Sequence, residues 1–193
     1  MMESPLDILL FIARVFDEMD VRYVVVGSFA SSVRGMARAT NDVDIVADLA
    51  PEQATDLITR VKEEFYVSET GARRAICEHG SFNLIHFESS FKVDIFIPPP
   101  DGFGRQQLAH RQAEQVDLQG EMQIYVATAE DTILAKFLWF RQGGEVSTQQ
   151  WADILGVVKV RKDVLNEGYL REHAQKLGLL ALLERALAEA RAD

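Results

Sequence analysis

A pair of aspartates on an apolar segment constrains this chain more than any other feature. Asp42 and Asp44 alternate with apolar residues in the segment DVDIVA, a pattern typical of a β-strand. Residues two apart on a strand point to the same face, so the two carboxylates project together. Two like charges side by side repel each other, and a divalent cation offsets that repulsion. Oxygen ligands of this kind favour Mg²⁺.

The segment before this pair predicts a strand, a tight turn and a helix. Tyr23 to Val26 is continuously apolar, and Gly27 and Ser28 follow it at the turn. Glycine lets the backbone approach a phosphate, and a helix N-terminus offers N–H groups and a positive dipole end. Ser28 either caps the helix or donates its hydroxyl to a phosphate, and one residue can do both. We therefore expect a phosphate-binding turn here.

A third aspartate lies on another apolar segment, far along the chain. Asp94 alternates with Val93 and Ile95 in the run FKVDIFI. Three carboxylates on two neighbouring strands can hold two Mg²⁺ ions, which activate an attacking oxygen and neutralise charge on a leaving phosphate. Together with the glycine turn, they predict phosphoryl or nucleotidyl transfer. There are two alternatives: the fold has no activity, or Arg34 or Arg38 satisfies the carboxylates.

Charge and cysteine content limit the function classes. The net charge of −10 argues against a protein that coats nucleic acid non-specifically, because such binding needs many Lys and Arg side chains on phosphates. The single cysteine, Cys77, cannot form an internal disulfide, which favours a reducing, cytoplasmic compartment. The sequence contains no apolar run of about 18 residues, so we expect no membrane span.

Hydrophobic periodicity predicts an α/β first part and a helical remainder. From Phe65 to Pro98 the period switches towards two, which predicts antiparallel strands. Thr128 begins a helical third with a start that resembles a capping box. We expect an α+β fold in which residues 1–127 form a mixed, twisted sheet with flanking helices. Residues 128–193 are expected to form a C-terminal helical subdomain.

These motifs resemble those of the DNA polymerase beta-like nucleotidyltransferase superfamily. Its pattern is Gly-Ser before a helix, an Asp-x-Asp strand and a later aspartate between apolar residues. The run VGSFASSVRGMARATNDVDI is especially similar to the minimal nucleotidyltransferases and the AbiEii-type toxin group. That group shares a Gly-x-x-Arg-x-Thr-x-Asp-x-Asp run, here Gly35, Arg38, Thr40, Asp42 and Asp44. The resemblance continues from Ala127 to Lys136 and to Asp153.

The resemblance implies a set of site residues. The metal ligands, which are also the catalytic residues, would be Asp42, Asp44 and Asp94, with two Mg²⁺ ions. The nucleotide-binding residues would be Gly27, Ser28, Arg38, Thr40 and Lys136. Lys136 would reach a phosphate or support the site, although it could instead extend its stem along a buried helix. Asp153 is interpreted as a surface or interhelical charge rather than a catalytic base.

The resemblance also implies a reaction and a set of partners. Family members transfer a nucleoside monophosphate from an NTP such as ATP to a protein, a tRNA end or a small molecule. We expect in-line attack of the acceptor oxygen on the α-phosphate, with pyrophosphate leaving. A toxin-like role would add an antitoxin protein as a partner. The alternative is a catalytically inactive module of the same fold that binds a nucleotide or a partner protein without turnover.

Overall fold

The structure is a computed structural model that describes residues 4–35, 42–116 and 123–192. Arg38 and Thr40 therefore lie outside the described residues. The strands are β1 (Tyr23–Val26), β2 (Asp42–Ala47), β3 (Phe65–Val67), β4 (Ser81–His86), β5 (Lys92–Phe96), β6 (Gln112–Gln115) and β7 (Gln123–Val126). The α-helices are α1 (Pro5–Glu18), α2 (Gly27–Arg34), α3 (Ala54–Val61), α4 (Glu69–Glu78), α5 (Phe103–His110), α6 (Ala129–Gln142), α7 (Thr148–Arg161), α8 (Glu167–Lys176) and α9 (Leu180–Ala192). A 3₁₀ turn, Pro51–Gln53, precedes α3.

The strands form one mixed sheet. Within the described ranges the order of its seven strands is β3-β4-β5-β2-β1-β7-β6. The pairs β2–β5 and β1–β7 are parallel, and the other four pairs are antiparallel. A mixed sheet with flanking helices confirms the predicted α+β fold class.

One face of strands β3, β4, β5 and β2 is buried, and the other carries polar side chains. In β5, Val93 is fully buried, whereas its neighbours Lys92 and Asp94 are partly exposed. Phe11 of α1 stacks on Phe65 of β3 with ring centroids 5.7 Å apart, which covers part of the apolar face. Because alternate residues face opposite sides, packing of the apolar face also fixes which side chains lie on the polar face.

The predicted strand, turn and helix that begin at Tyr23 are present. All four residues of β1 are buried, and α2 begins immediately after it, at Gly27. Gly27 has a φ angle of +64°, which lies in the left-handed region that glycine adopts at little cost. The turn between strand and helix therefore requires this glycine.

The stretch from Phe65 to Pro98 contains a helix, α4, that the sequence analysis did not predict. Ser68 caps its N-terminus with its side chain. Ala72 and Ile76, four positions apart, are both buried, so this helix packs through one face. The expectation of continuous strands was wrong because the flanking strands have a period of two and α4 has few apolar residues.

The contacts of the chain define two compact units. The first, residues 4–26, 42–116 and 123–127 of the described chain, contains the sheet with α1, α3, α4 and α5. The second, residues 27–35 and 128–192, contains α2 and α6 to α9. Helix α2 thus packs with the C-terminal helices, although it lies within the segment 1–127.

Close backbone packing joins α2 to α7 within the second unit. A Cβ atom on Gly35 would lie 3.0 Å from the backbone N of Val157, so glycine permits this approach. Thr128 caps α6 by accepting the N–H of Asp131 at 3.0 Å, as its position predicted. None of the helices in the described ranges is long and apolar enough to cross a membrane.

Candidate active site

Two cross-strand rows on the polar face bring the predicted carboxylates together. In the parallel pair β2–β5, Asp44 lies opposite Asp94, and Asp42 lies opposite Lys92. Opposed residues of neighbouring strands project from the same face of a sheet. Asp42, Asp44 and Asp94 therefore lie on one face, which is the arrangement that the sequence predicted. The Asp94 side chain is 19% exposed, so solvent or a ligand can reach it.

Lys92 is a residue of this face that the sequence analysis missed. Its Nζ lies 2.7 Å from Oδ2 of Asp94. The hydrogen bond to Asp94, together with the negative charges of Asp94, Asp42 and Asp44, raises the pKa of the Lys92 ammonium. The lysine is therefore a stable positive charge among three carboxylates. The signal was present in the alternation of FKVDIFI, which places Lys92 and Asp94 on the same face.

The donor chemistry of the three carboxylates fits Mg²⁺. They supply only hard oxygen ligands, and neighbouring strands lie about 4.8 Å apart, so opposed aspartates can reach one ion between them. In the part of the chain that the structure describes, no three His, Cys, Asp or Glu side chains converge closely enough to hold an ion. As the side chains stand, Asp94 contacts Lys92, and its metal role stays a prediction.

The predicted phosphate-binding turn follows directly from the strand beside Asp44. Val26, the last residue of β1, pairs with Asp44, and Gly27 and Ser28 form the first turn of α2. The Ser31 hydroxyl donates to the Gly27 carbonyl at 2.9 Å, which fixes this first turn. Phosphate binding by Gly27 and Ser28 stays a prediction.

Lys136 and Asp153 form an ion pair within the helical unit. Lys136 Nζ on α6 lies 2.9 Å from Asp153 Oδ2 on α7, and the two side chains are only 8% and 12% exposed. Gln149 Nε2 donates to the other oxygen of Asp153 at 2.9 Å. This contact joins α6 to α7, and the two roles that the resemblance implies for Lys136, reaching a phosphate or supporting the site, stay predictions. Asp153 is an interhelical charge, one of the two interpretations that the sequence left open.

Asp48, a carboxylate with two cationic partners, directly follows the last residue of β2, at the end of the strand away from Asp42. Arg22 Nη2 is 2.6 Å from Asp48 Oδ2, and Arg105 pairs with Asp48 Oδ1. Burial opposes ionisation of Asp48, but hydrogen bonds and charge from both arginines outweigh it and lower the pKa of the carboxyl. This cluster belongs to the framework of the sheet unit.

The fold resembles that of solved nucleotidyltransferase structures. The antibiotic-resistance factor ANT(2'')-Ia matches with a TM-score of 0.57 at 16% identity, over 96% of this chain and 97% of that one. An antigenic nucleotidyltransferase-like protein from Paracoccidioides brasiliensis matches with a TM-score of 0.55 at 15% identity, over 94% and 90% of the two chains. The lincomycin-bound lincosamide antibiotic adenylyltransferase LnuA matches with a TM-score of 0.52 at 16% identity, over 79% and 95%. No protein-family model matches the chain, and no curated protein matches it in sequence.

These similarities establish the fold. The chain has a nucleotidyltransferase fold over most of its length, with its three predicted carboxylates on one face of the sheet. At such low sequence identity the likeness concerns architecture.

Proposed function

We propose that the chain is a Mg²⁺-dependent nucleotidyltransferase that transfers a nucleoside monophosphate from an NTP to an acceptor oxygen. The observation that carries this proposal is the register that sets Asp44 opposite Asp94, with Asp42 on the same face. The proposed reaction also uses the glycine turn at Gly27, which directly follows β1 in the chain.

Each residue of the proposed site has a distinct role. Asp42 and Asp44 would hold both Mg²⁺ ions, and Asp94 would hold the ion on the acceptor side and would take up the proton of the acceptor hydroxyl. Bound Mg²⁺ would neutralise charge on the triphosphate and on the departing pyrophosphate. Gly27 and Ser28 bind the triphosphate through backbone N–H groups and the serine hydroxyl.

We favour ATP as the donor and a hydroxyl-bearing small molecule as the acceptor. One structural neighbour is an adenylyltransferase of lincosamide antibiotics, and this chain covers 95% of its length. The net charge of −10 gives an RNA acceptor little electrostatic support. A protein or tRNA acceptor, the toxin-like role and an antitoxin partner remain predictions from the sequence alone, as does a cytoplasmic location.

Transfer from α-labelled ATP to a panel of hydroxyl-bearing small molecules, with Mg²⁺ present, tests the proposal. Asp42→Asn should abolish both labelling and pyrophosphate release because it removes a ligand charge. The matched control is Asp56→Asn. Asp56 lies on α3 of the same unit, with its side chain 53% exposed in an ion pair with Arg60, and its loss should leave transfer unchanged.

Two outcomes would contradict the proposal. Full transfer by folded Asp42→Asn would exclude the assigned metal ligands. Tight ATP binding by the wild-type protein without pyrophosphate release, on any acceptor tested, would favour the inactive binding module. Mass spectrometry of RNA and protein from cells that express the chain identifies an acceptor of another class.

A further inference from the structure

Lys92 occupies a position in the carboxylate face that the proposed reaction does not explain. It lies directly opposite Asp42 on the neighbouring strand and two positions before Asp94 on its own strand. Its Nζ contacts Oδ2 of Asp94 at 2.7 Å. A cation therefore already lies against the carboxylate that the proposed function assigns to the acceptor side.

We propose that Lys92 is a tethered counter-ion that competes with divalent metal for Asp94. This inference rests on the proposed function, because it takes Asp42, Asp44 and Asp94 as the metal ligands. In the metal-free protein the ammonium offsets the repulsion among the three carboxylates. A metal ion can bind Asp94 fully only when the ammonium moves away. The Lys92 side chain is 40% exposed, so it has room for that movement.

Electrostatics set the size of the effect. A divalent ion and an ammonium about 5 Å apart repel each other strongly enough to lower metal affinity about tenfold, even with solvent and salt screening. An isolated, exposed ion pair contributes little, because solvent and salt screen its two charges. Here one lysine faces three acids, so its removal changes the field at the whole site.

Direct measurement of Mn²⁺ binding tests the inference without any assay of activity. Free Mn²⁺ is followed by electron paramagnetic resonance during titration of the purified chain. Lys92→Met should bind Mn²⁺ about tenfold more tightly than the wild type. Lys92→Arg keeps the charge and should bind like the wild type. Lys62→Met, at an exposed position after α3 in the same unit, is the matched control and should also bind like the wild type.

Thermal unfolding supplies a second readout. Without metal, Lys92→Met should melt at a lower temperature than the wild type because its carboxylates lack the counter-ion. Added Mn²⁺ should raise the melting temperature of Lys92→Met more than that of the wild type. If Lys92→Met does not fold without metal, titration begins from protein refolded with Mn²⁺ and then dialysed against graded chelator.

The inference is overturned if Lys92→Met binds Mn²⁺ no more tightly than the wild type. It is also overturned if neither protein binds Mn²⁺ at millimolar concentrations. Binding by Lys92→Arg as tight as by Lys92→Met would also overturn it, since charge would then not be the cause. Asp42→Asn separates the two proposals. If it loses Mn²⁺ binding while Lys92→Met binds like the wild type, only the role of Lys92 fails. If it binds like the wild type, the metal site fails.

Discussion

The ion pair between Lys136 and Asp153 gives the sharpest stability prediction. It joins α6 to α7 at 2.9 Å, and its side chains are 8% and 12% exposed. Lys136→Met keeps most of the side-chain volume but removes the ammonium. The variant therefore leaves a nearly buried carboxylate without its cation, which is a costly state in a poorly solvated environment.

The expected magnitude follows from that burial. Removing one partner of a buried ion pair costs about 3–5 kcal/mol, and the slight exposure here places the loss near about 3 kcal/mol. For a chain of this length, that loss lowers the melting temperature by about 6–12 °C. The double variant Lys136→Met, Asp153→Asn removes both charges and should regain most of the lost free energy of unfolding.

Urea unfolding followed by circular dichroism measures these differences. The matched control is Lys176→Met. Lys176 pairs with Glu172 at 2.6 Å, but the two side chains are 63% and 62% exposed. Such an exposed pair contributes less than about 0.5 kcal/mol. Equal losses of stability in Lys136→Met and Lys176→Met would refute the reasoning.

The same variants test the functional role of Lys136. If its ammonium only joins the two helices, the double variant recovers the proposed nucleotidyl transfer together with stability, and this is the expected result. If the ammonium binds a phosphate, the double variant is stable but its KM for ATP remains raised. The KM measured on a stable protein therefore distinguishes the two roles.

Two further predictions concern the framework. Because the pKa of Asp48 is lowered in the folded protein, its ionised form stabilises the fold above about pH 4, the ordinary range of an aspartate, and this contribution disappears as the pH falls through the lower folded value. The difference in melting temperature between the wild type and Asp48→Asn should therefore shrink below pH 4, and a difference that is constant with pH would contradict the assignment. Gly35→Ala should cost about 1–3 kcal/mol, because its Cβ would lie 3.0 Å from the Val157 backbone. Gly168→Ala, whose Cβ would lie an ordinary 3.5 Å from a side chain, is the control, and equal melting temperatures of the two variants would contradict the packing.

Patterns in consecutive residues predicted the strands that carry the candidate site. The bounds of β1 are those of the apolar run Tyr23–Val26, and the alternation around Asp94 predicted β5. Burial and alternation are local properties, so they can be recognised without knowledge of the partners. Helix α4 could not be recognised in this way. Its buried residues are Ala72, Ala75 and Ile76, a weak apolar face between two strands with a period of two.

The position of Lys92 opposite Asp42 could not be predicted from a local pattern. Its alternation with Asp94 places both on one face, but that face could have been far from Asp42. Only the pairing of β2 with β5 sets Lys92 opposite Asp42, and these strands are separated in sequence by α3, β3, α4 and β4. The sequence therefore indicated the three acids of the candidate site but not the lysine that lies beside them.

The meeting of Asp44 with Asp94 depends on strand register, which alternation determines only in part. A shift of one residue would turn Asp94 towards the face where Val93 is now buried, and burial of an unpaired carboxylate costs several kcal/mol. A shift of two residues would keep the faces but would move Lys92 away from Asp42. The observed register sets Lys92 opposite Asp42 but also sets Asp44 opposite Asp94, and two opposed carboxylates repel each other. In this register the Lys92 ammonium offsets part of the repulsion between Asp44 and Asp94 through its contact with Asp94, and the same charge, in our inference, limits how tightly the three carboxylates bind metal.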